Sequence, residues 1–343
     1  MKTDSLYRRL PDLLLPWYLQ NARVLPWRAD REPYHVWLSE IMLQQTRVEA
    51  VIDYYNRFLS ALPDIAQLAA CEEETLLKLW EGLGYYSRVR NLQKAAVEIM
   101  EKHGGVFPNT YAGILALPGV GPYTAGAIAS ICFELPCPAV DGNVLRVITR
   151  ITEDFSPIDA PKTKKEIAKQ LESVYPKGSC GDFTQALMEL GACVCTPKSP
   201  KCGTCPVRDL CKAKAHQTIE QLPVKTKKMQ QRVEERTVFL LQCDDKFAIA
   251  KREDKGLLAG LWQLPNVLGK LTAEQAIGMA GTFGVRPAGI IKETHKEHVF
   301  THIRWQMTCY HLQCAVQAKN YQWATLQQLE SVYALPTAFR IFL

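Results

Sequence analysis

Residues 115–126 read LALPGVGPYTAG, an apolar run broken by Pro118, Gly119, Gly121 and Pro122. The spacing predicts a tight hairpin between two helices, because glycine permits a backbone approach that a β-carbon blocks. The helix predicted to begin near Pro122 presents free N–H groups at its first turn, a natural site for phosphate. Tyr123 stands in that first turn. Taken alone, PGVG is an ordinary helix–helix corner, so its meaning depends on the residues downstream of it. PAVDGNVLRVITR (138–150) places Asp141 before Gly142 and Asn143, about twenty residues past the hairpin. An aspartate ahead of glycine is ordinarily a turn or cap residue.

The chain around this stretch has 343 residues, which predicts two domains. Hydrophobic residues make up 47%, enough for real cores, and the net charge of +6 is compatible with an anionic partner. The first residues, MKTDSLYRRLPDLLLPWY, carry charges too early and too short an apolar run for a leader. No run approaches bilayer length, so no membrane partner is expected. A soluble, cytoplasmic monomer is expected, associated with the nucleoid in a bacterium.

From about residue 6 to 215 the pattern is helical. HVWLSEIMLQQTRVEAVIDYYNRFL (35–59) carries apolar residues at helical spacing with few breakers, and EETLLKLWEGL and NLQKAAVEIM continue in that style. AHQTIEQLPVKTKKMQQR (215–232) is polar and basic and reads as a linker, with Lys225, Lys227, Lys228 and Arg232. Beyond it, RTVFLLQC, FAIAKR, GLWQLP and RWQMTCYHLQC read as strands, and one helix is expected near 272–280. The expected domains are therefore an all-α half over 1–215, a linker over 216–235 and an α+β half over 236–343.

Twelve cysteines are unusual for a chain whose thiols stay reduced, and five of them fall between 193 and 211. CTPKSPKCGTCPVRDLC supplies Cys195, Cys202, Cys205 and Cys211 in the spacing C-x6-C-x2-C-x5-C. Four thiolates on one tight loop suit a tetrahedral zinc or an iron–sulfur cluster equally. The remaining cysteines read as buried apolar residues.

Hairpin, downstream aspartate and four-cysteine loop, in that order, resemble the helix–hairpin–helix DNA glycosylases of the endonuclease III superfamily. Within it, LPWR (25–28), VWLSEIMLQQT (36–46), GLGYYSR (82–88), LPGVGPYTAG (117–126), VDGNV (140–144) and FTQALMELGACVC (183–195) resemble the MutY-type adenine DNA glycosylases. The resemblance implies a [4Fe–4S] cluster on loop 195–211. It also implies a hairpin around Gly119 and Gly121 that holds phosphate directly or through a monovalent cation. The partner implied is double-stranded DNA containing an 8-oxoguanine:adenine pair, and the reaction is hydrolysis of the adenine N-glycosidic bond.

Breaking that bond expels a poor leaving group, so the base must be protonated and the cationic sugar stabilised. Glu40 lies among Trp37, Leu38, Ile41 and Met42. Burial raises a carboxyl pKa and suits a general acid, whereas periodicity alone also permits an exposed helix stripe. The resemblance assigns Glu40 to protonation of adenine N7, Asp141 to the sugar, Asn143 to support by hydrogen bonding and Tyr123 to orientation. Lyase members of the superfamily carry a lysine where Tyr123 stands; a tyrosine forms no imine. The resemblance therefore implies a monofunctional enzyme.

The adenine must be flipped out of the duplex. By resemblance its pocket is Trp27, Arg28, Leu43, Gln185 and Glu189, the last two on one helix face at i, i+4. Gln45 and Tyr85 resemble residues that enter the duplex beside 8-oxoguanine, and Thr46 is expected among the DNA contacts. Residues 236–343 resemble the family's Nudix-like half, in which a loop contacts 8-oxoguanine; here it reads Phe300, Thr301, His302. LTAEQAIGMAGTFGV (271–285) has only Glu274 where Nudix hydrolases need several glutamates for magnesium, so nucleotide hydrolysis is not expected. Two further readings, a bifunctional lyase and a redox-sensing DNA-binding protein, leave Tyr123 or the pair Glu40 and Asp141 unexplained.

Overall fold

The computed structural model describes residues 3–226 and 231–343, so Lys227 and Lys228 of the basic tract lie outside the described residues. Two compact units emerge: residues 1–70 with 90–227, and residues 71–89 with 228–343. Among the described residues no helix is long and apolar enough to cross a membrane.

The first unit is helical. Its helices are α1 (Thr3–Tyr7), α2 (Leu10–Asn21), α3 (Pro33–Leu43), α4 (Val48–Ala61) and α5 (Ile65–Ala70). After α6 (Glu73–Leu79), which belongs to the second unit, come α7 (Ser87–His103), α8 (Tyr111–Ala116), α9 (Pro122–Phe133), α10 (Gly142–Thr152), α11 (Pro161–Glu172), α12 (Cys180–Glu189) and α13 (Lys212–Ala215). One core joins Leu10 and Leu14 of α2, Val144, Val147, Ile148 and Ile151 of α10, and Phe183 and Leu187 of α12. The expected helical stretch over 35–59 is two helices. Gln45 takes a left-handed φ of 61°, and α4 starts afresh at Val48. The tract after Cys211 also differs from a free linker up to Thr226. Leu222 O accepts from Arg150 Nε at 3.1 Å, and Val224 O accepts from the Ile158 N–H at 3.0 Å.

The hairpin forms as its residues predict. α8 ends at Ala116, Val120 N donates to Leu117 O at 3.1 Å, and Gly121 caps α9, with Pro122 first in the helix. Gly119 has φ +75°, and a β-carbon there would lie 2.6 Å from Cβ of Asn91. Gly119→Ala is thus expected to destabilise the protein by about 1–3 kcal/mol through strain and clash. Gly121→Ala, which meets nothing within 4 Å, should change the melting temperature much less. Thermal melts of the two variants, compared side by side, check this.

The second unit is built on a mixed sheet of order β3-β2-β1-β6-β5, with β4 pairing β1 and β7 pairing β2. Its strands are β1 (Arg232–Cys243), β2 (Lys246–Lys251), β3 (Trp262–Gln263), β4 (Asn266–Leu268), β5 (Pro287–Val299), β6 (Ile303–Cys314) and β7 (Gln322–Thr325). β1 runs parallel to β6, and β5 and β6 form an antiparallel hairpin. Val238 and Leu240 face one core with Trp305 and Phe339, while Phe239 and Leu241 face another with Tyr310 and Leu312. Burial on both faces explains why β1 reads as an unbroken apolar run. The helix expected near 272–280 is α14 (Ala273–Thr282), whose Ala276 and Ala280 cover the second core.

Candidate active site and cysteine loop

Glu40 lies on α3, where every residue from Val36 to Met42 is buried. A helix apolar on all sides is an interior helix, so Glu40 cannot occupy an exposed stripe. It is 6% exposed. Its Oε2 accepts the Tyr123 hydroxyl at 2.5 Å. Burial pushes the Glu40 pKa up to about 7; the Tyr123 hydrogen bond opposes this, and the nearby charge of Asp141 adds to it. Tyr123 occupies the first turn of α9, and burial together with Glu40 and Asp141 keeps its phenol protonated.

Asp141 is the N-cap of α10, as its place before glycine suggested. Its Oδ1 accepts the Val144 N–H at 2.7 Å, and its Oδ2 accepts Asn143 Nδ2 at 2.6 Å. Burial raises its pKa, and these two donors with Arg146 pull it back. The cap thus fixes the carboxylate at a helix N-terminus, where negative charge is favoured.

Two arginines on α10 escaped the sequence reading. Arg146 donates to Asn143 Oδ1 at 2.8 Å, to the Gly191 carbonyl at 2.7 Å and to the Cys195 carbonyl at 2.8 Å. Arg150 donates to the Thr196 carbonyl at 2.8 Å and approaches Cys195 Sγ at 3.3 Å. The close approach to Gly191 needs that residue, since a β-carbon there would lie 2.6 Å from Cβ of Asn143. The available signal was VLRVITR, two arginines at i, i+4 on an otherwise apolar helix, which demands buried partners.

Cys195, Cys202, Cys205 and Cys211 line one cavity of about 30 Å³ with Val147, Ile151 and Leu190. Burial and the neighbouring thiols push Cys205 up to about 12, against a backbone hydrogen bond from Val207. Holding Cys205 as a thiolate there calls for a cationic metal centre beside it. Among the described residues no three His, Cys, Asp or Glu side chains close on a single ion. The spare Cys193 instead points its thiol to Glu189 Oε1 at 3.6 Å.

Of the other predicted residues, Trp27 and Arg28 form a 3-10 turn, and Trp27 packs edge-on against Tyr55 at 5.5 Å. Gln185 and Glu189 both lie on α12, but only Gln185 is partly open. Glu189 is 1% exposed and consumed by two arginines, accepting Arg23 Nε at 2.7 Å and a guanidinium nitrogen of Arg28 at 2.8 Å. Burial would raise its pKa, yet these partners hold it at about 2. Arg23 is a further residue that the sequence did not reveal. Leu43 ends α3, and the turn after it exposes Gln45, with Thr46 N donating to Leu43 O at 3.3 Å.

In the second unit, Thr301 and His302 sit at the tip of the β5–β6 hairpin, which the Phe300 N–H closes onto Ile303 O at 2.8 Å; both are exposed. The Tyr85 hydroxyl lies 2.7 Å from Thr301 Oγ1. Tyr85 is 46% exposed, with the Arg88 guanidinium 5.7 Å from its ring centroid.

Residues 38–177 match the model of the HhH-GPD superfamily of base excision DNA repair proteins. Residues 195–211 match the iron–sulfur binding domain of endonuclease III, and residues 237–343 a NUDIX domain. Fold and site thus define a helix–hairpin–helix repair protein with an iron–sulfur loop and a NUDIX-type half. A thermostable thymine-DNA glycosylase structure superposes with a TM-score of 0.58 at 28% identity, over 63% of this chain and 100% of that one. The adenine DNA glycosylase of Mus musculus is 38% identical over 312 residues, 74% of this chain and 59% of that protein. That of Buchnera aphidicola subsp. Baizongia pistaciae is 38% identical over 257 residues, 74% of this chain and 73% of that protein. The chain belongs to the adenine DNA glycosylase family, and it spans 59% of the mouse and 42% of the rat relative's length.

Proposed function

We propose that this protein hydrolyses the N-glycosidic bond of adenine mispaired with 8-oxoguanine, and with guanine, leaving an abasic site without cutting the strand. The observation that carries the reading is the buried Glu40 carboxyl, titrating at about 7 beneath the hydroxyl of Tyr123. Near neutral pH such a group is protonated in a substantial share of molecules and transfers its proton readily, the property a general acid needs.

In this reading adenine leaves C1′ with the bonding electron pair while Glu40 protonates its ring nitrogen. The positive charge that develops on the sugar is met by the carboxylate of Asp141, which its cap hydrogen bonds and Asn143 hold in place. Water then adds its oxygen to C1′ and gives up a proton, which returns to the Glu40 carboxylate. Trp27, Arg28, Leu43 and Gln185 receive the flipped base. Glu189, with both oxygens on arginines, holds Arg28 rather than reading adenine itself. Gly119, Gly121 and the first turn of α9 meet the DNA backbone. Gln45, Thr46, Tyr85, Thr301 and His302 read the 8-oxoguanine side. Cys195, Cys202, Cys205 and Cys211 would hold the [4Fe–4S] cluster, and Arg150 ties the loop to α10. Strand cleavage by imine chemistry has no lysine at position 123 to start it. α14 supports a reader rather than a hydrolase, since Glu274 is the acidic residue of its first turn.

The test is to incubate the protein with an 8-oxoguanine:adenine duplex and analyse the strands with and without hot alkali. Breaks on the adenine strand that depend on alkali are expected. Equal breakage without alkali would favour a lyase, and absence of adenine release would end the reading.

A further inference from the structure

Residues 71–89 fold with the C-terminal half, and one buried carboxylate fastens them there. Glu81 is 7% exposed. Its Oε1 accepts the backbone N–H of Leu335 at 2.8 Å. Its Oε2 accepts Lys78 Nζ at 2.7 Å and the Arg340 guanidinium at 2.9 Å. The same Lys78 ammonium donates to the carbonyls of Leu329 and Tyr333, each at 3.1 Å. A single buried node thus binds the end of α6 to the segment 329–340.

Immediately after this node the chain turns through three left-handed residues, Gly82 (φ 101°), Gly84 (φ 70°) and Tyr85 (φ 47°). The turn is braced from within. Arg88 donates to Leu83 O at 2.9 Å and to Gly84 O at 3.1 Å, and the Trp80 indole donates to Gly84 O at 3.1 Å. At its apex Tyr85 reaches Thr301 Oγ1. Because the turn is braced internally, its placement depends on the anchoring of residues 78–81. Buried ion pairs add little net stability, and their best-attested use is to select one arrangement among several.

We propose that Glu81 is a positioning residue for lesion discrimination. By locking 78–81 to 329–340, it fixes the Gly82–Tyr85 turn and holds the Tyr85 hydroxyl against Thr301, so that the two approach the 8-oxoguanine side as a preset pair. The proposal rests on the reading of Tyr85 and Thr301 as contacts to that side of the duplex. Glu81 acts through the turn and takes no part in bond cleavage, which the other unit performs through Glu40 and Asp141.

The test uses the full chain and single-turnover adenine release from 8-oxoguanine:adenine and guanine:adenine duplexes at sub-saturating protein. The wild type is expected to prefer the first duplex. Glu81→Ala should cut the ratio of the two rates by about tenfold, the effect of roughly 1.4 kcal/mol in discrimination. Its rate on guanine:adenine should stay close to wild type. Glu81→Gln keeps an acceptor for the Leu335 N–H and should recover part of the ratio. Arg340→Ala should lower it in the same direction; its side chain is 44% exposed, so this variant carries the comparison should Glu81→Ala melt below the assay temperature. An unchanged ratio in Glu81→Ala and Arg340→Ala, or an equal fall of both rates, overturns the proposal. A wild type without preference overturns the reading of Tyr85 and Thr301 as well, and that failure appears before any variant is compared.

Discussion

Glu40→Gln is expected to lower the rate of adenine release by about 10²–10⁴-fold, the range for a positioned general acid, while duplex binding persists. Glutamine keeps the shape of the side chain and the acceptor for Tyr123, so what is lost is the transferable proton. Single-turnover kinetics beside a binding titration measures both; near-normal release would remove Glu40 from the acid role. The pH profile is the second signature. With Glu40 held at about 7, wild-type activity should decline as pH rises through that value. Stability carries the same sign. Between the ordinary carboxyl value of 4.5 and about 7 the folded protein retains a proton that the unfolded chain has lost. Stability therefore falls as pH rises across this window, and Glu40→Gln should flatten the fall in melting temperature.

Asp141→Asn should lower the rate by about 10²–10³-fold, the scale seen when one element of preorganised electrostatic stabilisation is removed. The asparagine oxygen still accepts the Val144 N–H, and Asn is as good an N-cap as Asp, so the start of α10 should survive. A melting temperature close to wild type together with a large rate loss would assign the effect to the missing charge; a rate within tenfold of wild type would show that the charge is dispensable. Burial raises the Asp141 pKa, and the Val144, Asn143 and Arg146 contacts restrain that rise. The proposed mechanism uses Asp141 ionised and Glu40 protonated, so on that reading the wild-type profile should fall on the acid side through Asp141 and on the alkaline side through Glu40. Each variant should lose its own limb.

Much of this was legible because the signals are local. The LPGVG corner, the cap at Asp141 and the four-cysteine spacing are short-range patterns, and each formed where its residues pointed. The strands of β1, β2 and β6 announced themselves through apolar and aromatic runs. β5 did not, because an edge strand reading GIIKETHKEHV carries the charges that keep such edges soluble and so resembles a loop. Glu40 was ambiguous for a different reason. Its exposure depends on whether α3 is covered on every side, which is a property of its neighbours. The roles of Glu189 and Glu81 were the least legible, since their partners lie 166 and 259 residues away at Arg23 and Arg340. No periodicity reports a contact of that separation.

The attachment of residues 71–89 to the C-terminal half also bears on how the chain comes to be folded. Leu335 and Arg340 are synthesised long after Glu81, so during translation the carboxylate and the Lys78 ammonium have each other but not the rest of their partners. The stretch from α6 to the glycine turn must then remain provisional until the last strands and helices are made. A fragment ending near residue 226 would carry it as an unfinished edge, and a fragment beginning near residue 231 would lack the piece that Leu335 and Arg340 await. The two halves that the sequence suggests cutting apart are therefore poor units for separate expression, because the boundary between the units falls not only in the basic tract at 227/228 but also at 70/71 and within α7 at 89/90.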